Sequence, residues 1–342
     1  MVALGLFVDL RMVGHGGGPG DAGDVAAPSP GGRTFALHTA RTIELLVEAE
    51  RLGADAAWFT EHHLFADGYL AQPLVLAAAV ATRTSRLRLG TAVLLAPLRH
   101  PRHIAEEAAM VDLIAGGRLE LGLGAGYAAR EFEAFGADPA SRFEATESSA
   151  AEVLGLFASG EVTPGPVQDP LPVWLGFQGP VGARRAGRLG TGLLSLDPAL
   201  LAPYREGLAE GGHRSEAARM AGLVEVVVAD DPERAAERIL PYWLHQQNSY
   251  RAIMRRPDGR PPSPLRADRA RETLQRTGRL GGLAVVDVDG AVALLRQHLD
   301  GVPARHAFAW LSVGGMPDDL VERHLELWCG PVRDTLAADR LG

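Results

Sequence analysis

An acidic residue and two histidines stand side by side, Glu61, His62 and His63, directly after the run AAWFT at 56–60. A neutral imidazole, with a pKa of about 6.5, suits proton transfer or hydrogen bonding to a reacting oxygen atom. Adjacent side chains of an extended segment point in opposite directions, so we expect one histidine to face a cavity and the other to bond to a neighbour. Adjacent imidazoles chelate one metal ion poorly, which leaves a structural, hydrogen-bonded pair as the alternative to a catalytic role.

A second candidate region is GRLELGLGAGY at 117–127. Gly122, Gly124 and Gly126 alternate there, and Tyr127 follows them. Glycines at alternate positions remove the side chains from one face of a strand, which would let a bulky, flat group approach the backbone.

A third candidate region is GFQGPVGARRAGRLG at 176–190, which follows an apolar run and has the composition of a helix start. Gly179, Pro180 and Gly182 would leave backbone N–H groups free there, an arrangement that attracts an anion and most often a phosphate. Arg184 and Arg185 would reach this anion. The alternative is an ordinary turn followed by a helix with solvated arginines.

Strand-like and helix-like segments alternate along the whole chain. Apolar runs predict strands at 3–10, 56–60, 87–96, 118–124, 172–177, 191–196, 223–229 and 306–313. Helical periodicity occurs at 36–52, 72–84, 101–115 and 143–158, and again in a last helix that contains Val321 and Leu325. Eight such units predict a parallel (β/α)8 barrel that occupies residues 1–342 as a single domain. An open doubly wound sheet is the alternative, but no dinucleotide-binding glycine motif immediately follows the first strand.

Two stretches interrupt this alternation. Residues 13–33 are rich in Gly and Pro, and residues 251–280 are charged and rich in Pro. Long loops in compact domains are often lids, so we predict a flexible loop after strand one and a mobile lid insertion before strand eight. Both would lie at the carboxyl ends of the strands, where barrel active sites form. The alternative is a pair of unstructured insertions.

The composition excludes several classes of protein. All 34 basic residues are Arg, which rules out a Schiff-base lysine, a pyridoxal-phosphate enzyme and a P-loop. The single Cys329 excludes an internal disulfide and a multi-cysteine metal site. The net charge of −8 and the lack of a long apolar run predict a cytoplasmic protein that binds neither nucleic acid nor membranes.

Three blocks in order, LGADAAWFTEHH, LGTAV through GLGAGY, and PVWLGFQGPVGARRAGRLG, resemble the bacterial luciferase-like family of flavin-dependent monooxygenases. The resemblance covers most of the chain and is weakest over 13–33 and 245–290. It implies the (β/α)8 barrel and a cofactor, reduced FMN or the deazaflavin F420, at the carboxyl ends of the strands.

The resemblance also assigns roles to particular residues. It implies that His62 is the active-site histidine beside the flavin and that a non-prolyl cis peptide joins Ala92 to Val93. It places the flavin phosphate at the Gly179–Gly182 helix start. The implied cofactor-binding residues are Glu61, Ala92, Val93, Gly124, Gly126, Tyr127, Gln178, Gly179, Pro180 and Gly182.

The chain departs from the family pattern at the phosphate site. Ala125 stands where many FMN-dependent members have a phosphate-binding Arg, and Gln178 and Gly179 replace the Glu-Ser pair of luciferases. A GAG sequence is common among F420 enzymes, but Thr60 to His63 differ from the S-D-H-F of F420 reductases. FMN is therefore the expected cofactor, and F420 is the alternative.

The function that the resemblance implies is a two-component monooxygenase. A separate reductase would supply reduced FMN, a flavin C4a-(hydro)peroxide would form with O2, and a small organic substrate would be oxygenated. Hydroxylation, epoxidation, Baeyer–Villiger insertion and aldehyde oxidation all stay open. The replacement of Lys by Arg is typical of a GC-rich genome and suggests a natural-product tailoring step in secondary metabolism.

Two other functions stay open, an F420-dependent oxidoreductase and a flavin-binding barrel without catalytic activity. A homodimer is expected, with the apolar second and third helices as the candidate interface.

Overall fold

The structure, a computed structural model, describes residues 2–12, 32–256 and 259–338. The strands in chain order are β1 (Ala3–Val8), β2 (Ala56–Phe59), β3 (Arg88–Thr91), β4 (Leu94–Leu95), β5 (Leu119–Gly124), β6 (Val173–Leu175), β7 (Gly192–Leu194), β8 (Met220–Leu223), β9 (Val226–Val228), β10 (Arg279–Leu280), β11 (Leu283–Val286) and β12 (Ala304–Trp310).

The helices alternate with the strands. In chain order they are α1 (Gly32–Leu52), α2 (Pro73–Ala81), α3 (Pro101–Ala115), α4 (Ala129–Phe135), α5 (Arg142–Ser159), α6 (Gly179–Arg188), α7 (Leu201–Glu210), α8 (Pro232–Ile253), α9 (Ala267–Thr277), α10 (Val288–Leu299), α11 (Asp318–Leu327) and α12 (Arg333–Ala338). A π-helical turn, Trp328–Val332, joins the last two helices.

Eight parallel strands close into a barrel. β1 pairs with β2 on one side and with β12 on the other, and the ring continues through β8, β7, β6 and β5. It closes where β3 pairs with β5, with Leu89 opposite Leu119. A closed ring has no edge strand, so the predicted (β/α)8 barrel is confirmed and the open sheet is excluded.

The strand period of two separates the barrel interior from the layer under the helices. Trp58 points inward, where its ring stacks on Phe308 at 5.2 Å and meets the edge of Trp174 at 5.9 Å. Its neighbours Ala57 and Phe59 instead join the aliphatic core between the strands and the helices. The middle of the barrel is therefore filled by aromatic rings.

The amino end of the barrel is closed by a buried carboxylate. Glu120 accepts hydrogen bonds from Arg88 Nε at 2.6 Å and from Trp174 Nε1 at 2.7 Å. Burial opposes its ionisation, but the hydrogen bond from His306 and the charge of Arg88 outweigh burial and lower the pKa of Glu120. A ligand must therefore enter from the opposite, carboxyl end.

The predicted third strand, 87–96, is broken in two between β3 and β4. At the end of β3, Thr91 Oγ1 donates to the Gly122 carbonyl at 2.7 Å and accepts from Gly122 N–H at 2.9 Å. A Cβ atom on Gly122 would lie 1.9 Å from the Thr91 carbonyl oxygen. Glycine at this position therefore lets two backbones approach closely, which a side chain would prevent.

The prediction that residues 223–229 form the seventh strand of the barrel is wrong. The barrel strand is Met220–Leu223, whereas Val226–Val228 pairs with Leu283–Val286 in a separate three-stranded sheet that β10 completes. The chain leaves the barrel after Val224, whose N–H makes a bond of 2.8 Å to the Phe308 carbonyl. Both strands are apolar, so composition alone could not separate them.

The predicted lid, 251–280, contains the end of α8, an extended stretch and the helix α9. Asn248 fastens this stretch by donating to the Leu265 carbonyl at 3.1 Å and accepting from Leu265 N–H at 2.7 Å. The alternative of an unstructured insertion is therefore wrong, and mobility stays a prediction.

Most of the predicted flexible loop 13–33 lies outside the described residues. Within the described ranges, no helix combines the length and the apolar character that crossing a bilayer requires.

The Gly122→Ala substitution is expected to lower the free energy of unfolding by about 2 to 3 kcal/mol, because the new methyl group collides with backbone. Gly155→Ala is the matched control, since a Cβ on this exposed helical glycine meets nothing within 4 Å. The control should gain about 1 kcal/mol from helix propensity. Urea unfolding measures both, and equal stabilities would contradict the close approach at Thr91.

Candidate functional site

His62 follows β2 at the carboxyl end of the barrel, the end that carries barrel active sites. Its N–H donates to the Leu70 carbonyl at 3.0 Å, which fixes the backbone. Its ring is buried and meets the rings of Tyr69 at 4.8 Å, Tyr127 at 5.2 Å and Phe65 at 5.2 Å. The imidazole is thus held in an aromatic enclosure at the mouth.

The two ring nitrogens of His62 have different partners. Nδ1 lies 2.9 Å from Oε1 of Glu131, and Nε2 lies 3.1 Å from the Tyr127 hydroxyl. The same Glu131 oxygen accepts the His63 N–H at 2.7 Å, so it is an acceptor. Nδ1 therefore carries a proton, and in the neutral imidazole Nε2 accepts from the Tyr127 O–H.

Tyr127 links His62 to the open mouth. The residue follows Gly126 at the end of β5 and is 49% exposed, although its hydroxyl faces His62. Burial of the hydroxyl raises the pKa of Tyr127, and nearby Tyr250 and Glu131 add to this effect. The phenol therefore remains a proton donor at neutral pH, on a ring with room to turn away from His62.

Glu61 and His63 brace the rim of the barrel. His63 Nε2 lies 2.8 Å from Glu61 Oε1, and the His63 ring packs against Phe135. The other Glu61 oxygen accepts the Leu95 N–H at 2.7 Å, and Arg99 donates to Oε1. Glu61 is therefore buried among protein partners, and its contact with a cofactor stays a prediction.

His63 bonds to a neighbour, Glu61, as expected for one of the two histidines. His62 also bonds to neighbours, Glu131 and Tyr127, so the expectation that it faces a cavity stays a prediction. The residue that orients His62 is Glu131, not Glu61 or His63.

A buried cation completes the wall behind His62. The Arg11 guanidinium lies over the rings of Tyr250 at 4.3 Å, Tyr69 at 4.5 Å and Phe65 at 5.0 Å. Its Nε lies 3.4 Å from Asp67, and the two tyrosine hydroxyls are 2.9 Å apart. Cation–π contacts thus join the end of β1, the loop after β2 and α8 around the histidine.

Two carboxyls beside Arg11 respond differently to burial. Burial raises the pKa of Asp9 to about 6, and the charge of Arg11 only partly opposes this. For Asp67 burial acts in the same direction, but the hydrogen bond from His245 and the charge of Arg11 outweigh it and lower the pKa. Asp67 is therefore the main counter-charge of Arg11.

The cis peptide predicted between Ala92 and Val93 is present. The Val93 side chain lies over the backbones of β5 and the segment after β6. A Cβ on Gly124 would be 2.2 Å from it and a Cβ on Gly176 would be 2.5 Å from it. The expectation that Gly124 leaves its face free for a flat group is therefore wrong, because Val93 fills that space.

The start of α6 has the form predicted for an anion site. Gln178 precedes the helix without a side-chain hydrogen bond to it, and Pro180 lies in the first turn. Gly179 has a φ of +76°, and a Cβ there would meet nothing within 4 Å. Gly182 instead packs against Phe177, 2.5 Å from the position of a Cβ. Gln178 thus leaves the first N–H groups uncapped, and the space beside Gly179 is open.

The two arginines of α6 do not serve this helix start. Arg184 pairs with Glu210 of α7, and Arg185 lies 3.3 Å from Glu147 of α5. Neither arginine contacts the helix start, and their reach to an anion stays a prediction. The arginines lie beyond the first turn, where glutamates of neighbouring helices are the nearest charges.

Sequence reasoning missed Glu131, Arg11, Asp67 and Tyr250. Arg11 had a usable signal, because it directly follows the first strand as His62 follows the second. Tyr250 had none, since it is 181 residues from Tyr69, its hydrogen-bond partner. Within the described ranges, no cluster of three or more His, Cys, Asp or Glu side chains is arranged to hold a metal ion.

The comparisons with known proteins agree with this geometry. The family model described as luciferase-like monooxygenase matches residues 19–327, and the chain belongs to this family. It is an enzyme of the flavin-dependent monooxygenase class. The crystal structure of the monooxygenase RslO1 from Streptomyces bottropensis has the same fold, with a TM-score of 0.71 at 21% identity over 98% of this chain and 100% of that chain.

Three relatives show the range of the family. The 4-hydroxyprotoasukamycin monooxygenase of Streptomyces nodosus subsp. asukaensis is 29% identical over 276 residues, 72% of each protein. The oxygenase component of the flavin-dependent trigonelline monooxygenase of Acinetobacter baylyi is 41% identical over 91 residues, 27% of this chain and 25% of that protein. The F420-dependent glucose-6-phosphate dehydrogenase of Amycolatopsis mediterranei is 32% identical over 172 residues, 44% of this chain and 52% of that protein.

The Glu131→Gln substitution is expected to shift the tautomer of His62. A carboxylate at Nδ1 favours the Nδ1–H form, and its replacement by an amide should reduce the tautomer ratio about tenfold. The nitrogen chemical shifts of the imidazole measure this ratio. Glu133→Gln, at an exposed position of the same helix, is the control. Identical His62 shifts in the two variants would show that Glu131 does not set the tautomer.

Asp9 is expected to make stability depend on pH. Its pKa rises from 3.8 to about 6 on folding, so the folded chain binds this proton more tightly than the unfolded chain. The free energy of unfolding should therefore fall by about 2 to 3 kcal/mol as the pH rises through the window between these values. Denaturant titrations of Asp9→Asn should lack this contribution, whereas the exposed Asp300→Asn should keep it. The same slope in both variants would refute the assignment.

Proposed function

We propose that this chain is the oxygenase of a two-component system that uses reduced FMN and O2 to oxygenate a small organic substrate. The observation that carries the proposal is the pair of features at the mouth. His62, with an accepting Nε2 beside Tyr127, follows β2, and the uncapped start of α6 follows β6. β3 and β5 separate them in the ring, which suits a cofactor with a reactive ring at one end and a phosphate at the other.

The residues at the mouth fit a flavin. The helix start offers N–H groups to a phosphate, and open space lies beyond Gly179. The rim between this helix and His62 is formed by Gly126, Tyr127 and the cis peptide after β3. These features support Gln178, Gly179 and Pro180 as phosphate contacts and Ala92, Val93, Gly126 and Tyr127 as ring contacts. Gly124 and Gly182 would contribute by allowing the close packing beneath these contacts.

Arg142 is our candidate for the phosphate-binding cation that Ala125 does not provide. Its guanidinium lies 4.3 Å from the centre of the Phe143 ring, and Phe143 contacts Phe177, the residue before Gln178. Its Nε is buried and has no hydrogen-bond partner among the described residues. An arginine with a donor to spare beside the start of α6 suits a phosphate oxygen.

When bound, reduced FMN would supply the electrons that activate O2, a step that no side chain performs. The residues of the chain position and protect this chemistry. Glu131 fixes the His62 ring, and Tyr127 holds a proton at Nε2, where the mouth opens. Tyr69 and Tyr250 close the space behind the imidazole and keep water from it.

A separate reductase would supply the reduced FMN. The likeness to an oxygenase component supports this division of labour. The likeness to 4-hydroxyprotoasukamycin monooxygenase supports our further proposal of a natural-product tailoring step in secondary metabolism.

A second candidate function is F420-dependent hydride transfer without O2. Ala125, in place of the phosphate-binding arginine, and the likeness to an F420-dependent dehydrogenase favour it. The same mouth would then bind a deazaflavin, and His62 with Tyr127 would exchange a proton with the substrate.

We also propose a homodimer through α2 and α3. Val75 is 68% exposed, Met110 47% and Ile114 45%, so these helices place apolar side chains in solvent. Exposed apolar side chains that share one face are typical of interfaces. The cytoplasmic location stays a prediction.

Flavin titration and reoxidation kinetics test the function. We expect FMN to bind more tightly than F420, and about tenfold more tightly than riboflavin, which lacks the phosphate. The protein should change the rate at which O2 reoxidises reduced FMN, and His62→Ala should alter this rate on the order of 10²-fold.

The control for this experiment is His103→Ala, since His103 is an exposed histidine of α3. Preferential binding of F420, with no effect of the protein on FMN reoxidation, would replace the proposed function by the second candidate. Equal rates in the two histidine variants would remove His62 from the chemistry.

A further inference from the structure

Glu225 is a carboxyl at the mouth that the proposed chemistry does not use. β8 packs Ala221 and Leu223 against the aromatic cluster inside the barrel. Glu225 lies two residues beyond β8, and its carboxylate accepts a hydrogen bond from Trp310, whose ring meets Phe7 of the interior cluster. Its neighbours Val224 and Val226 are buried, whereas Glu225 is exposed. The bond to Trp310 therefore places this exposed carboxyl at the carboxyl end of the barrel.

One oxygen of this carboxyl is fixed and the other is open. Trp310, the last residue of β12, donates from Nε1 to Glu225 Oε2 at 2.7 Å. The Trp310 ring in turn meets the Phe7 ring edge-on at 4.8 Å. In the part of the chain that the structure describes, no hydrogen bond reaches Oε1 of Glu225.

Two carboxyls of the rim, Glu61 and Asp67, have a cationic partner, whereas Glu225 has a neutral indole. Glu61 pairs with Arg99, and Asp67 pairs with Arg11. Burial raises the pKa of Glu225, and the hydrogen bond from Trp310 does not offset it. A carboxyl in such surroundings gains most from a ligand that brings a hydrogen-bond donor or a positive charge.

We propose that Glu225 is a substrate-recognition residue. Its open oxygen accepts a hydrogen bond from an ammonium or hydroxyl group at the end of an apolar substrate. Phe7, which is partly exposed and meets the Trp310 ring edge-on at 4.8 Å, contacts the apolar body. Only β12 and β1 stand between β8 and β2 in the ring, so the substrate reaches from Glu225 toward His62. This inference rests on the proposed function for the place of the substrate.

Three small molecules that share a phenylethyl group test this proposal: phenethylamine, 2-phenylethanol and ethylbenzene. Calorimetric titration with oxidised FMN present compares the native protein with Glu225→Gln and Glu225→Leu. The native protein should bind the amine about tenfold more tightly than ethylbenzene, with the alcohol between them. Glu225→Gln, which keeps an acceptor but no charge, should bind the amine no better than the alcohol. Glu225→Leu should lose both preferences.

Glu216→Gln is the matched control, because it removes the same charge from an exposed turn before β8, at the amino end of the barrel. It should keep the native order of affinities. Equal binding of the three probes by the native protein, or an amine preference that survives in Glu225→Leu, would overturn the assignment.

The two proposals fail separately. If the protein leaves the reoxidation of reduced FMN unchanged but ranks the probes as expected, the proposed function is wrong and Glu225 is still a recognition residue. If the protein changes the rate of reoxidation but binds the three probes equally, the proposed function stands and Glu225 is not a recognition residue. Unchanged FMN affinity in the Glu225 variants shows that the mouth is still folded.

Discussion

One carboxylate oxygen, Oε1 of Glu131, accepts hydrogen bonds from both His62 Nδ1 and His63 N–H. This junction ties the loop after β2 to the first turn of α4 in a fully buried position. It fixes the tautomer of the imidazole, and the tautomer decides that Nε2 is an acceptor. Tyr127, four residues before Glu131, can donate to Nε2 only because of this assignment. The proton chemistry of the mouth thus depends on a fully buried residue.

The barrel is divided along its axis into a closed part and an open part. Trp58, Trp174 and Phe308 fill the middle, and Glu120 accepts hydrogen bonds from the polar side chains at the amino end. Level with Trp174, Gly122 lets the backbones of β5 and β3 approach closely. His62 and Tyr127 lie past this filling, beyond the carboxyl ends of their strands.

The fold and half of the site could be predicted from the sequence. Apolar strand periodicity marks the barrel, and the place of His62 after β2 marks its catalytic end. The helix start at Gly179 follows from local backbone chemistry. Contacts between side chains that are distant in the sequence could not be predicted. Arg184 and Arg185, for example, pair with glutamates of other helices. Glu131 and Glu225 likewise acquire their roles from tertiary contacts, and the apolar run 223–229 carries no sign of which sheet it joins.

The cage around Arg11 has a consequence for the order of folding. Arg11 Nη1 donates to the Gln246 carbonyl across 235 residues of sequence, and Tyr250 comes from the same distant helix. Contacts between residues so far apart in the sequence form late in folding, because closing them costs the conformational entropy of the intervening chain. During synthesis, the positively charged Arg11 after β1 therefore lacks its contacts with α8 until that helix has been made and has packed against the barrel. The wall behind His62 is complete only when the end of β1 and α8 have met, so a chain that stops before α8 has the strand but not the wall.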